Sequence, residues 1–161
     1  MTWAEAFRRQ AVSHYQIFKR FSTPNSEVAY CHRLHFLQMA TEKLAKSFLI
    51  GSASESPKKT HLALVRFLRV LSGNPDIRER LKFANNPKQF KAYIDRLIPL
   101  AARIEALAPI GGDLERLNPE YPWLGGQNEV ICPADHDFHE FAQTDVVRFA
   151  TFIDQLLNVT T

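Results

Sequence analysis

The spacing of the apolar residues is the feature that most restricts how this chain can fold. Between Phe7 and Phe21, the side chains of one stripe recur three and four residues apart. This spacing is that of one face of an α-helix. Similar stripes follow Ser26, Thr60, Pro87 and Thr144, whereas no segment keeps up the strict alternation of a strand between hairpin signals. The patterns predict an all-α fold, an antiparallel bundle of about five helices.

The residues around the first two stripes indicate where those helices begin. Thr2 and Glu5 have the spacing of a capping box, in which each side chain bonds the backbone amide of the other residue. They predict a first helix from about Trp3 to Phe21. A second, longer helix is predicted to begin at Pro24 or Ser26.

The later helices are marked by the same kinds of residue. Gly51 is a natural end for the second helix, and Thr60 is a candidate cap for the third. Residues 75–83 predict a short fourth helix. Pro87 is favourable in the first turn of a fifth helix, which ends near Pro109.

A long irregular segment, Ala108 to Gln143, precedes the last helix, which is predicted to begin near Thr144. The segment holds four of the six glycines and four of the nine prolines. Within it, only Glu129 to Cys132 has the composition of a short strand that pairs locally. A segment of this length inside a compact domain is usually functional or packed as a lid.

The composition indicates one globular domain that occupies residues 1–161. The formal charge of +3 permits an anionic partner without requiring one.

The first residues lack the apolar stretch of a secretory signal, and no run approaches the roughly 18 to 20 apolar residues that cross a bilayer. Cys31 and Cys132 lie far apart and form no CxxC pair, so we expect buried thiols in a reducing compartment. We therefore expect a soluble, cytoplasmic protein with no membrane partner.

The second helix carries residues that suggest a family. Gln38 is followed four residues later by Glu42-Lys43 and then by Lys46, and His61 stands near the start of the next helix. This order and spacing resemble the signature of the HEPN family (higher eukaryote and prokaryote nucleotide-binding), whose members are helical bundles often paired with nucleotidyltransferases.

The late loop adds to the resemblance. Its sequence from Asn118 to Trp123, NPEYPW, is similar to the tyrosine-proline turn that precedes the last helix in many HEPN proteins. The marks together run from about residue 28 to residue 157. The resemblance implies a module that binds a nucleotide, RNA or a nucleotidyltransferase partner without catalysis of its own. It also implies a homodimer formed by helix packing.

The residues of the signature have a physical reason to lie together. Gln38, Glu42 and Lys46 follow one another at i, i+4 spacing and form one polar row on a helix. If the third helix packs antiparallel to the second, His61 approaches the end of that row. The sequence leaves three readings open: the row holds two helices in register, forms a solvated face of weak Glu–Lys pairs, or contacts a ligand. The candidate ligand-binding residues are Glu42, Lys43, Lys46 and His61, with Tyr121 and Trp123 as a lid whose aromatic rings stack on a base.

A ribonuclease is the first alternative. Many HEPN proteins are ribonucleases that use an arginine followed four to six residues later by a histidine, which acts as general acid or base. Arg9 and His14 fit this spacing, but they fall within the predicted first helix and not near a helix break. Residues five apart on a continuous helix point in different directions. This alternative therefore requires the pair to line a cleft at a dimer axis.

A purely structural dimeric interaction protein is the second alternative. The sequence contains neither GxGxxG nor GxxxxGK[ST], so no cofactor is expected. His32 and His35, and the run from Asp135 to Glu140, contain residues that ligate metals. Because no HExxH, CxxC or other closed ligand set accompanies them, we expect no metal and an ordinary polar loop.

Overall fold

The computed structural model describes residues 1–50, 61, 63–109 and 116–159. Within these residues the chain forms six α-helices and one short two-stranded ribbon, which confirms the predicted all-α class. None of the helices that the structure describes has the length and apolar character needed to cross a membrane. The helices are α1 (Trp3–Phe21), α2 (Tyr30–Ile50), α3 (Leu64–Leu71), α4 (Pro75–Arg80), α5 (Pro87–Ala106) and α6 (Gln143–Val159).

The start of α1 is fixed by the predicted capping box. The backbone N–H of Glu5 donates to Thr2 Oγ1 at 3.2 Å, and the N–H of Thr2 donates to Glu5 Oε2 at 2.7 Å. Two amides that lack helical partners are thereby satisfied. The helix ends at Phe21, as its apolar stripe predicts.

The start of α2 differs from the prediction. The helix begins at Tyr30 and not at Pro24 or Ser26. The guanidinium of Arg33 donates to the carbonyls of Ser26 and Val28, at 3.1 and 3.2 Å. A side chain from the first turn of α2 thus satisfies two carbonyls of residues 26–29, which have no regular secondary structure.

The start of α3 is capped by a residue from another helix. Thr60, the predicted cap, lies outside the described residues, and α3 begins at Leu64. Glu105 Oε1, on α5, accepts the backbone N–H of Leu64 at 2.6 Å and that of Val65 at 3.4 Å. A negative charge at this position also suits the positive end of the helix dipole.

α1 and α2 form an antiparallel pair. Lys46, late in α2, lies 5.7 Å from the ring centre of Phe7, early in α1. At the other end of the pair, the rings of Phe21 and Phe36 meet edge to face at 5.5 Å. The start of one helix therefore lies beside the end of the other.

The core is rich in aromatic side chains, and α6 closes it. The hydroxyl of Tyr15 on α1 donates to the carbonyl of Ala150 on α6 at 2.6 Å. Arg8 reaches the carbonyl of Leu157 at 2.9 Å, and so ties the same two helices together. The phenylalanines that are fully buried are Phe67, Phe90, Phe138, Phe149 and Phe152.

In the segment before α6, the described residues 116–142 are largely irregular, as predicted, and contain a small ribbon. Strand β1 (Trp123–Leu124) pairs antiparallel with β2 (Val130–Ile131), so the predicted local pairing within residues 129–132 is confirmed. A single 3₁₀ turn, Pro133–Asp135, follows. Both cysteines are free. Cys31 is buried as expected, but Cys132, which lies between the ribbon and this turn, is exposed.

Candidate functional site

Glu42, in the middle of α2, is the centre of the candidate site. The residue is only 2% exposed, yet it carries a carboxylate. Its Oε1 accepts hydrogen bonds from Lys46 Nζ at 2.6 Å and from Lys43 Nζ at 2.9 Å. Its Oε2 accepts one from Gln38 Nε2 at 3.2 Å and lies 2.8 Å from His61 Nδ1. These five residues, Gln38, Glu42, Lys43, Lys46 and His61, are called the Glu42 cluster below.

The structure therefore brings together all four residues that the sequence places at the centre of the site. The row at i, i+4 spacing holds because Gln38, Glu42 and Lys46 lie on one side of α2. His61 reaches the row from the residues that precede α3. The row is not a solvated face, since its central carboxylate is shielded from water.

The surroundings of Glu42 decide its protonation. Burial alone raises the pKa of a carboxyl group, because it penalises the charged form. At Glu42 the hydrogen bonds from Lys46, Lys43 and His61, with the charge of Lys43, outweigh burial and lower the pKa from 4.5 to about 2. The group is therefore a carboxylate throughout the physiological range. Four polar contacts also occupy the roughly four positions at which a carboxylate accepts hydrogen bonds.

The ammonium groups of Lys43 and Lys46 have N–H donors that do not bond to Glu42. A lysine ammonium has three N–H donors. Lys43 and Lys46 each spend one donor on the same oxygen of Glu42, so their ammonium groups are close neighbours. Two positive charges face one negative charge, which leaves an excess of positive charge before His61 is counted. The side chain of His61 is 47% exposed, so its second ring nitrogen is available from solvent.

His14 approaches the Glu42 cluster from α1. Its pKa is lowered, first by burial and then by the positive charges of Lys43 and His35, while Glu42 acts in the opposite direction. The Nε2 atom lies 3.0 Å from Gln10 Nε2. The Nδ1 atom is shielded from solvent and has no hydrogen-bond partner among the described residues. His14 is thus a neutral imidazole at neutral pH.

Arg9 and His14 do not form a pair on the described chain. Both belong to α1, which is continuous from Trp3 to Phe21. Five residues along an α-helix correspond to a rotation of about 140° between the two side chains. Arg9 is exposed, whereas His14 is half-buried and its ring lies 5.9 Å from that of Phe36. A ribonuclease site with both residues would need an arginine from a second copy of the chain.

The two lid candidates occupy different positions. Trp123 is 6% exposed and meets the rings of His136 and Phe138 at 5.1 and 5.9 Å, so it packs the loop onto the core. Tyr121 is 56% exposed, and its backbone N–H donates to Asn118 Oδ1 at 3.1 Å. A role in stacking on a base therefore stays a prediction for Tyr121 alone.

The loop meets α2 some distance from Glu42. The carboxylate of Glu120 lies 3.8 Å from Nδ1 of His35, two helical turns before Glu42. The pKa of His35 is lowered by burial, against the raising effect of Glu120. This contact places the proline-rich turn against the α2 face but not on the Glu42 cluster itself.

A cavity of about 450 Å³ lies in another part of the fold. It is bounded by α1, the first turns of α2, and α6, with Tyr15, Arg33 and Asp154 among its lining residues. None of the Glu42 cluster lines this cavity.

No family model, no curated protein and no solved structure matches this chain. The resemblance to HEPN proteins consequently depends on the residues of the chain alone, and the candidate site is defined by the geometry of the Glu42 cluster.

Sequence reasoning placed the Glu42 cluster but missed what surrounds it. Nothing in the sequence around His14 predicts that it lies near Lys43. The antiparallel pairing of α1 and α2 indicates that His14 lies near Lys43, because a residue in the middle of one helix then faces the middle of the other. The contact between His35 and Glu120 spans eighty-five residues, and nothing in the local sequence signals it.

Proposed function

We propose that this protein is a HEPN-like module that binds the phosphate group of a nucleotide or of RNA at the Glu42 cluster, without catalysing a reaction of its own. The observation that carries the proposal is that two lysines share one buried carboxylate. Glu42 holds the two ammonium groups side by side and neutralises only one of them.

The arrangement suits a phosphate because charge and donors converge on one place. Among the described residues, Glu42 accepts one N–H group from each of Lys43 and Lys46. The remaining N–H groups of these ammonium ions are charge-assisted donors, which bind phosphate oxygens more strongly than neutral donors do. His61 adds a third donor when its ring carries both protons, because Nδ1 faces Glu42 and only the protonated ring has an N–H at its second nitrogen. Fixing both lysines in advance also reduces the entropy that they lose when an anion binds.

The same features argue for binding and not for catalysis. A general acid or base acts best when its pKa is near the working pH. Glu42, with a pKa of about 2, holds no proton to donate at neutral pH and is a weak base. Its lone pairs are already engaged by four neighbours, so it is a positioning group for the lysines.

The test is a titration of the tag-free protein with ATP, GTP and a short labelled RNA, followed by calorimetry and fluorescence anisotropy. We expect saturable binding that weakens as sodium chloride is added, because salt screens the contacts with the phosphate. Lys43→Gln and His61→Gln should each weaken it, the lysine variant by about tenfold, which is typical for the loss of a charged hydrogen bond.

Lys88→Gln is the matched control, because Lys88 is an exposed lysine at the start of α5, on another helix. It should bind with the affinity of the wild type. Circular dichroism of each variant checks that the helices are intact. Equal binding by the wild type and by Lys43→Gln would show that the phosphate site is elsewhere.

The alternatives give different results in the same experiment. A ribonuclease would cleave the labelled RNA, and His14→Ala would abolish the cleavage, whereas a binding module returns the RNA intact. A purely structural interaction protein would bind no nucleotide or RNA at any salt concentration. The resemblance also implies a homodimer and a nucleotidyltransferase partner. Light scattering tests the homodimer, and co-purification tests the nucleotidyltransferase partner.

A further inference from the structure

A second cluster of functional side chains lies in the loop before α6, away from the Glu42 cluster. His136, His139 and Glu140 each offer one ligand atom, and these three atoms all lie within 4.8 Å of one another. His139 Nε2 lies 3.7 Å from Glu140 Oε1. Ligand atoms on a tetrahedral zinc ion, with bonds of about 2.0–2.1 Å, are roughly 3.3 Å apart. Small rotations of the exposed side chains would close that difference.

His139 is oriented as a metal-binding histidine usually is. Asp137 Oδ1 lies 3.2 Å from the Nδ1 atom of the ring and accepts the backbone N–H of the same residue at 3.1 Å. A carboxylate on Nδ1 keeps the proton there and leaves the lone pair on Nε2, which points toward Glu140. This pairing of carboxylate, histidine and metal recurs in zinc sites.

His136 supplies an independent observation. Its ring is held edge-on between Trp123 and Phe138, at 5.1 and 4.8 Å, so its position is fixed by packing. Its Nε2 atom is shielded from solvent and has no hydrogen-bond partner in the part of the chain that the structure describes. A shielded polar atom without a partner needs an explanation, and a bound ion is one.

The backbone between the two histidines is bent to bring them together. Phe138 has a φ of 49°, in the left-handed region that a bulky residue rarely adopts. Its ring is fully buried, and this burial offsets the strain. The turn folds His139 back toward His136, whose ring centre is then 6.3 Å away.

We propose that His136, His139 and Glu140 bind a divalent transition-metal ion such as zinc, and that Asp137 orients His139. Two imidazoles and one carboxylate are a ligand set that suits zinc. Three protein ligands leave at least one coordination position for water. The carboxylates of Asp135, Asp137 and Glu140 give this part of the loop a negative charge that favours a cation over an anion.

The test is calorimetric titration of tag-free protein with zinc chloride, repeated with cobalt chloride while the visible absorption is recorded. We expect one ion per chain, with cobalt bands typical of nitrogen and oxygen ligands and no thiolate-to-metal band. Zinc at a hundredfold excess over its Kd should raise Tm by roughly 5–10 °C.

His139→Ala is the main variant, because this side chain is 73% exposed and its loss leaves the core intact. It should weaken zinc binding at least tenfold, and Asp137→Asn should weaken it about tenfold.

Two controls separate this site from other ligands. His32→Ala removes an exposed histidine on α2, and Cys132→Ser removes the exposed thiol four residues before His136. Both should bind zinc as the wild type does. The proposal is overturned if the wild type binds no zinc at micromolar concentrations, if His139→Ala binds it equally well, or if either control loses it.

Discussion

A carboxylate that is shielded from water needs partners for both of its oxygens, and Glu42 takes them from two helical turns of its own helix and from His61. Lys43 and Lys46 come from the same helix, so part of the arrangement forms as soon as α2 does. The remaining part depends on tertiary packing, since His61 is nineteen residues away. Removing Glu42 would therefore leave two ammonium groups close together with no counter-charge, which is destabilising.

The pKa of Glu42 gives the stability of the protein a specific dependence on pH. The folded-state pKa is about 2, below the ordinary value of 4.5, so the folded state binds its proton less readily than the unfolded state. The stabilisation is complete above pH 4.5 and is lost as the pH falls toward 2. We expect the difference in unfolding free energy between wild type and Glu42→Gln to shrink by about 3 kcal/mol over that range.

Urea unfolding at a series of pH values measures this difference. Glu79→Gln, at an exposed position of α4, is the control and should follow the wild type within about 0.5 kcal/mol at every pH. A constant difference between Glu42→Gln and wild type from pH 5 to pH 2 would mean that Glu42 titrates normally in the folded state.

At the scale of the element, the beginning of each helix shows which interactions are local. The capping box of α1 lies within four residues, and the helix was predicted with its observed limits. The start of α2 was predicted too early, because only the folded chain shows Arg33 on the carbonyls of Ser26 and Val28. The cap of α3 was beyond prediction, since Glu105 is forty-one residues from Leu64.

Glu105 should therefore matter to α3 more than its sequence position suggests. The residue before the helix, Ala63, has no side-chain acceptor, so Glu105 takes over the capping. Glu105→Ala should lower the unfolding free energy by about 1 kcal/mol, as the loss of a helix cap usually does. Glu105→Gln keeps an acceptor oxygen and should cost less, because only the charge is lost.

Chemical denaturation followed by circular dichroism measures both variants. Glu27→Ala makes the same substitution at an exposed position before α2 and should leave the unfolding curve unchanged. If Glu105→Ala unfolds like Glu27→Ala, the contact with α3 contributes nothing.

The same contrast between local and distant contacts governs the candidate sites. The row of Gln38, Glu42 and Lys46 was predicted because helical periodicity alone creates it. The burial of this row was not predicted, because α1 and the residues before α3 cover it only in the folded chain. In the loop, the ligand types from Asp135 to Glu140 were visible in the sequence. The convergence of these side chains could not be predicted from the sequence, since it depends on the left-handed backbone at Phe138.

At the scale of the whole molecule, the irregular segment belongs to the same core as the helices. Trp123, Phe138 and Phe141 pack in one continuous apolar cluster with side chains from all six helices. The chain has two tryptophans, of which Trp3 is 45% exposed and Trp123 is buried. Trp3→Phe therefore yields a protein whose fluorescence reports on the loop alone.

We expect this variant to unfold in one step. A continuous core makes the loop and the helices one cooperative unit, so Trp123 fluorescence and far-ultraviolet circular dichroism should give the same midpoint in urea. A fluorescence change that comes first would show that residues 116–142 open separately from the bundle. It would also contradict the prediction that the chain is a single domain.

The bonds between α1 and α6 bear on how the protein is made. They join residues 135 to 149 positions apart, at Tyr15 with Ala150, Lys19 with Asp154, and Arg8 with Leu157. α1 and α2 can pair while the chain is still emerging from the ribosome, because their contacts are close in sequence. The face of α1 that carries Tyr15 then stays uncovered until the 17 residues of α6 have been translated. Until α6 has been made, the nascent chain therefore exposes an aromatic surface, which is where a chaperone would be expected to bind.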